Sequence, residues 1–337
     1  MHKVILILVL SLSVGCAQDK EVRTTAHNVL YKGVSWVSPS QPIAASSFKP
    51  LKDINANWTA IIPFGFIRKG EYEVFYNLSW QWWGERDAGV SAMVSYAHAQ
   101  SIEVMLKPQV WITDGDFTGD FNPGTEEGWQ ELEQSYYQYI LHFARLADSL
   151  QCGAFCIGTE WKNFHQKRPQ FWSVLIDSVR ANYNGTLTYA GNWDSYQSFP
   201  HWSKLDLIGI DAYFPVSEAQ TPTVAQCAQG WQTWLNAIEK HQKEIGKPVI
   251  LTEYGYRSSD HCASEPWQSN HFEGVNLEAQ YNAYQGLYEA FWGKDWFAGG
   301  FLWKWHPDHS QAGGTENNRF TPQNKPVEQL IKEWYAK

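Results

Sequence analysis

Pro248-Val249-Ile250-Leu251-Thr252-Glu253-Tyr254-Gly255-Tyr256 opens on an apolar run and then meets a carboxylate. An unbroken apolar run with β-branched residues describes a parallel strand buried on both faces. A carboxylate at the end of such a strand is costly to bury without a partner or a task. The same design recurs upstream in Ala154-Phe155-Cys156-Ile157-Gly158-Thr159-Glu160-Trp161.

Six further strand-like segments surround these two: Lys32–Val37, Thr59–Ile67, Glu103–Trp111, Thr186–Trp193, Leu207–Phe214 and Gly299–Trp305. Helical stripes fall between many of them. Trp129, Leu132, Tyr136, Tyr139, Phe143 and Leu146 repeat at three or four, and Thr125-Glu126-Glu127 suits the start of that helix. Trp231, Trp234, Leu235 and Ile238 form a second stripe. Leu277, Tyr281, Tyr284, Tyr288 and Phe291 form a third, and Val327, Leu330, Ile331 and Trp334 a closing one. Strand alternating with helix implies a parallel sheet, and eight strands imply closure into a single (β/α)8 TIM barrel. The alternative, an open doubly wound sheet, would carry a Gly-rich phosphate loop, and neither GxGxxG nor GxxxxGK[ST] occurs. A chain of 337 residues holds one such barrel, which commonly needs roughly 250, and leaves no room for a second large domain.

The first residues read as a targeting segment. Lys3 precedes an apolar run from Val4 to Leu12, too short for a span of roughly 20 residues. Ser13-Val14-Gly15-Cys16 then resembles a bacterial lipobox, with Ser13 where Leu is usual. The expectation is a lipoprotein signal over residues 1–16, a polar tether over 17–30 and the catalytic barrel over 31–337. Cys16 would be the lipidated residue, and the protein would be exported and anchored to a membrane.

Composition narrows the function. The net charge is -9 and charged residues are only 18% of the chain, so a nucleic-acid partner is not expected. There are 19 Trp, 17 Tyr and 17 Phe. Flat apolar rings match the C–H faces of sugars, and several of these aromatics stand beside predicted strand ends.

Four cysteines remain, without zinc spacing. Cys152 and Cys156 are roughly 13 Å apart along one strand and are expected as buried thiols. Cys227 and Cys262 are expected in the loops after the sixth and seventh strands, neighbours on the catalytic face, so a disulfide between them is expected in an exported protein.

Catalytic side chains of such barrels come from the C-terminal ends of strands. Glu160 and Glu253 end the fourth and seventh, facing each other across the opening. Cleavage of a glycosidic bond needs such a pair, one carboxyl protonated and one ionised.

The chain resembles the clan A glycoside hydrolases and, within them, family 113, typified by β-1,4-mannanases. The stretches that carry the resemblance are Val104-Met105-Leu106-Lys107-Pro108-Gln109-Val110, Ile157-Gly158-Thr159-Glu160, Pro248 through Ser258, and Phe320-Thr321-Pro322-Gln323-Asn324-Lys325-Pro326. The resemblance implies Glu160 as general acid/base and Glu253 as nucleophile of a retaining enzyme acting on a β-linked polysaccharide or oligosaccharide. Clan members often carry Asn before the acid/base, where this chain has Thr159, so recognition of the sugar 2-hydroxyl is left unassigned. Tyr213 is placed to hold the nucleophile through its phenol. Trp303 is the platform under the reacting sugar, and Lys107, Trp111, Asn192 and Trp193 are sugar-contacting positions. The insertion from Tyr72 to Trp83, with Trp80, Trp82 and Trp83, is either a cleft wall or a packed loop. No cofactor is expected, and His306, Asp308 and His309 match no metal motif. The other readings are a clan A glycanase or transglycosylase for a different sugar, a glycan-binding lipoprotein on an inactive barrel, and a structural or adhesion protein. The expected state is a monomer.

Overall fold

A computed structural model describes residues 30–113, 115–268 and 274–337. The expected signal with Cys16, and all of the expected tether but Leu30, lie outside the described residues. Eight parallel strands close on one another: β1 (Tyr31–Trp36), β2 (Trp58–Ile61), β4 (Glu103–Leu106), β6 (Ala154–Thr159), β7 (Thr186–Asn192), β8 (Ile208–Asp211), β9 (Val249–Tyr254) and β10 (Phe297–Trp305). Each pairs in parallel with its sequence neighbour in the barrel, and β10 closes on β1.

The expected second and third strands are each broken in two. After Ile62-Pro63 the chain resumes as β3 (Phe64–Ile67), and after Lys107-Pro108 as β5 (Gln109–Ile112). Proline has no N–H for the ladder, so pairing lapses there. The two continuations pair with each other as a separate ribbon. The Tyr139 hydroxyl bridges both breaks, 2.9 Å from the Pro63 carbonyl and 2.8 Å from that of Gln109.

The helices follow their caps. In α3 (Glu126–Ser149), the Thr125 side chain accepts the Gly128 N–H at 3.1 Å. A capping box of Thr223 and Gln226 starts α6 (Val224–Ile245), which ends at Gly246 with φ +74°. The stripes of α3, α6, α7 (Leu277–Phe291) and α8 (Pro326–Tyr335) pack against the core, except Leu277 at the start of α7, whose inward face runs through Ala283, Tyr284, Leu287, Tyr288 and Phe291. The remaining helices are α1 (Lys49–Asp53), α2 (Asp87–Ala99), α4 (Lys162–Lys167) and α5 (Pro169–Asn182). α2 and α5 are additional to the stripes named in the sequence. α2 buries Gly89, Val90, Met93, Val94 and Ala97, and α5 starts on Pro169 and buries Trp172, Leu175, Ile176 and Val179.

Alternation along the strands divides the core. Ala60, Met105, Ala154, Cys156, Ala190, Ile250 and Phe301 form a cluster inside the barrel. Ile61, Leu106, Phe155, Leu251 and Leu302 point the other way and pack under the helices.

Three strands carry an extra residue near the mouth. Pairing passes from Leu251 to Glu253 on β9 while β8 advances by one residue, and from Cys156 to Thr159 on β6 while β7 advances by two. β10 gains one residue against β1 between Leu302 and Trp305. Such bulges bend a strand and re-aim its side chains.

The cysteines correct one expectation. Cys227 sits in the first turn of α6 rather than in a loop, and both Cys227 and Cys262 are buried free thiols. Burial pushes the Cys227 thiol up to about 12, and burial followed by the neighbouring Cys227 pushes Cys262 higher still. The Cys227 Cβ faces Gly286 of α7, where an added Cβ would lie 2.5 Å away, so helix packing fixes its position. Cys152 and Cys156 are buried thiols.

Candidate active site

The bulge in β9 turns two successive side chains toward the barrel interior. Thr252 Oγ1 donates to Asp211 Oδ1 at 2.7 Å, and Glu253, 6% exposed, lies among donors from β5 and from just past the ends of β4 and β8. Its Oε1 accepts the Lys107 ammonium and the Gln109 Nε2 at 2.6 Å. Its Oε2 accepts the Tyr213 hydroxyl at 2.8 Å. An ionised carboxylate is acceptor-only and has room for all three donors.

Lys107 is fully buried between two carboxylates, with Nζ 3.4 Å from Asp211 Oδ1. Burial alone would lower its pKa, but the charges of Asp211 and Glu253 outweigh it, and the net direction is upward. The ammonium therefore stays charged. This position corrects the sugar-contacting role expected for Lys107: with no exposed surface it is placed to reach Glu253 and Asp211, not a ligand. Asp211 is also wholly buried. Burial, then repulsion from Glu253, lifts its carboxyl to about 7 against the pull of Lys107 and Thr252.

Glu160 follows the bulge of β6. Its φ is +58°, a left-handed backbone that costs a residue with a Cβ about 1–3 kcal/mol. The surroundings hold it there: the Glu160 N–H donates to Ala190 O at 2.8 Å, and the next N–H, of Trp161, donates to the Tyr189 hydroxyl at 2.7 Å. The half-buried Glu160 carboxyl accepts no hydrogen bond from the described residues. Its pKa is raised well above the usual carboxylate range, by burial first and then by the charges of Asp211 and Glu253, with Lys107 opposing. Strand register puts both glutamates at one rim: the Glu160 N–H bonds to β7 at Ala190, Asn192 of β7 pairs with Asp211, and Asp211 pairs with Glu253.

Tyr213 follows β8, buried, with its ring edge-on to Phe320 at 6.3 Å. Its phenol is raised well above the usual range by burial and by the charge of Glu253, so it remains a donor. Trp303 is half-buried on β10, one residue before Lys304, whose ammonium lies 5.2 Å from the Trp303 ring centre. Asn192 ends β7, half-buried, and its Oδ1 accepts the Trp193 N–H at 2.9 Å. Trp193 stacks on Trp267 at 4.9 Å and meets Trp234 edge-on. Trp111 is 54% exposed on β5. Among the described residues, no three His, Cys, Asp or Glu side chains gather as metal ligands.

Gln109, Asp211 and Thr252 escaped the sequence reading of the site. Asp211 carried a usable signal, as a charge ending the apolar run Leu207–Ile210. Gln109 carried a weaker one, as an amide directly after the proline that breaks its strand.

The sequence model of Glycoside Hydrolase Family 113 matches residues 35–325. Among solved structures, the chain is similar to the family 113 β-mannanase of Alicyclobacillus acidocaldarius, with a TM-score of 0.81 and 24% identity over 93% of this chain and 99% of that one. A second family 113 β-1,4-mannanase gives a TM-score of 0.79 and 23% identity over 92% of this chain and 99% of that one. The β-glucuronidase of Faecalibacterium prausnitzii shares the fold, with a TM-score of 0.60 and 15% identity over 91% of this chain and 49% of that one. No curated protein sequence matches the chain. The family match runs from β1 to the start of α8 and encloses both strand-end carboxylates, so the chain belongs to glycoside hydrolase family 113 and is a glycoside hydrolase.

Proposed function

We propose that the protein hydrolyses β-1,4-mannan with retention of configuration, through a covalent glycosyl-enzyme on Glu253. The observation that carries this reading is the contrast between the two carboxyls: three donors surround Glu253, while Glu160 has none among the described residues and a raised pKa. In the first step Glu253 forms a bond to the anomeric carbon as the glycosidic C–O bond breaks, and Glu160 gives its proton to the leaving oxygen. In the second step Glu160, now a carboxylate, takes a proton from water. The water oxygen then bonds to the anomeric carbon and releases Glu253. Lys107, Gln109 and Tyr213 hold the nucleophile in one orientation throughout. The choice of mannan is supported by the activity named for the family 113 structures that this chain resembles.

The test is a panel of soluble β-mannan, β-glucan, xylan and galactan, read by reducing-end release, with NMR of the first product. Release from mannan and an initial β-anomer are expected. An initial α-anomer would refute the role of Glu253, and release confined to another polysaccharide would refute the sugar.

The reading extends to location. A lipid anchor on Cys16 rests on the sequence from Lys3 to Cys16, each buried CH2 contributing about 0.8 kcal/mol. Cys16→Ser is expected to release the protein from the membrane fraction. A wild-type protein free in the medium and without a fatty-acid label would rule the anchor out.

A further inference from the structure

The ribbon of β3 and β5 lies beyond the proline breaks, past the ends of two barrel strands. Its register pairs Phe64 with Gln109 and Phe66 with Trp111. Side chains alternate along a strand and paired residues share a side, so these four occupy one face. Gln109 on that face donates to Glu253. The face is therefore continuous with the catalytic site. Trp111 lies two residues farther out, roughly 7 Å along the strand.

There the surface becomes aromatic. Trp111 is 54% exposed, and Trp80, 55% exposed, meets the half-buried Phe66 edge-on with ring centres 5.3 Å apart. The insertion presenting Trp80 is firmly held. Phe66 and Phe75 exchange two backbone hydrogen bonds of 2.8 Å. The buried Gln81 donates to Phe64 O and accepts the Leu78 N–H, both at 2.8 Å. Its neighbour Trp83 packs against the core. Large rings held open to water on a rigid base, with core positions available nearby, mark a binding surface rather than an unfinished core. Continuity with Glu253 identifies the occupant as the molecule being cut.

We propose that Phe66, Trp80 and Trp111 form a distal sugar platform, on which rings of a bound polysaccharide stack away from the bond being cleaved. This rests on the glycan-hydrolysing function proposed above and adds that the enzyme is built for chains, not for a single glycoside. A pyranose offers a flat C–H face to an indole and keeps its hydroxyls in water.

The experiment compares wild type with Trp80→Ala, Trp111→Ala, the double variant and Trp111→Phe. kcat/KM is measured along a series of β-1,4-manno-oligosaccharides of increasing length. The wild-type value is expected to rise with length until the chain covers the platform. Each Ala variant is expected to lose about tenfold on long chains, the worth of one stacking contact, and less on the shortest substrate. The loss appears mainly in KM, and Trp111→Phe recovers most of it. A double variant with the wild-type length dependence overturns the platform while leaving the hydrolase reading intact. Retardation in native gels containing soluble β-mannan, β-glucan, xylan or galactan separates the two ideas further. Wild type that cleaves none of these polysaccharides but is retarded, with retardation lost in the double variant, supports the platform and refutes the mannan-hydrolysing reading. No retardation of wild type by any of the polysaccharides, or equal retardation of the double variant, overturns the platform.

Discussion

The ends of β6 and β9 carry the same residue type in opposite settings. Glu253 is nearly inaccessible and accepts hydrogen bonds from Lys107, Gln109 and Tyr213. Glu160 is half-buried, sits on a left-handed backbone and has the negative charges of Asp211 and Glu253 for neighbours. Donors pointed at a carboxyl favour its ionised form, whereas burial beside like charge favours the neutral one. Under the proposed mechanism, the division of labour between nucleophile and acid resides in the neighbours, and those arrive on other strands.

The largest test of this contrast removes the clamped group. Glu253→Ala is expected to lower kcat on every substrate by a factor on the order of 10⁶, comparable with loss of a covalent nucleophile elsewhere. Retention of more than a small percentage of activity would mean that the attacking group lies elsewhere. Glu160→Ala should behave differently and cost about 10²–10⁴ on glycosides with poor leaving groups. Aryl glycosides with activated leaving groups need no proton, so the first step should survive there. Added azide should then yield a β-glycosyl azide, detected by mass spectrometry. Equal losses on good and poor leaving groups would erase the difference between the two ends.

Lys107→Met probes the clamp itself. Removing one partner from a buried ion-paired cluster leaves Asp211 and Glu253 uncompensated, at a cost of about 3–5 kcal/mol in folding free energy. Thermal unfolding should show a lower Tm, and an unchanged Tm would mean that the ammonium contributes no net stabilisation. Asp211→Asn is expected to have the smallest effect. The Asp211 charge raises the pKa of Glu160, so its removal lets Glu160 lose its proton at lower pH. The alkaline limb of kcat/KM should move toward acid by up to about one unit. A shift toward alkali would contradict the electrostatic account.

The strand-end glutamates were legible because apolar runs of strand length end on a charge. The breaks at Pro63 and Pro108 were not, although each proline was in view. Thr59–Ile67 and Glu103–Trp111 read as continuous runs, since local periodicity does not show where pairing partners change. In the sequence Lys107 reads as a ligand contact for a related reason. A lysine at a strand end is ordinarily solvated, and only the assembled barrel reveals carboxylates on both sides of it. The disulfide expectation failed because position in the chain says nothing of helix packing around Cys227.

By itself the sequence determined the parallel strands, the helices that cover them and the two carboxylates at the mouth. Those follow from hydrophobic period and from the cost of leaving a charge at the end of a buried strand. Tertiary structure alone decided which way the carboxylates point and what surrounds them. A bulge adds one residue to a strand and reverses the side that later side chains face, and it exists only relative to the neighbouring strand. The partners of Glu253 lie 146, 144 and 40 residues away in the chain for Lys107, Gln109 and Tyr213. Hydrogen bonds and charge coupling act over a few ångströms of space, and only closure of the barrel brings such distant positions within that range.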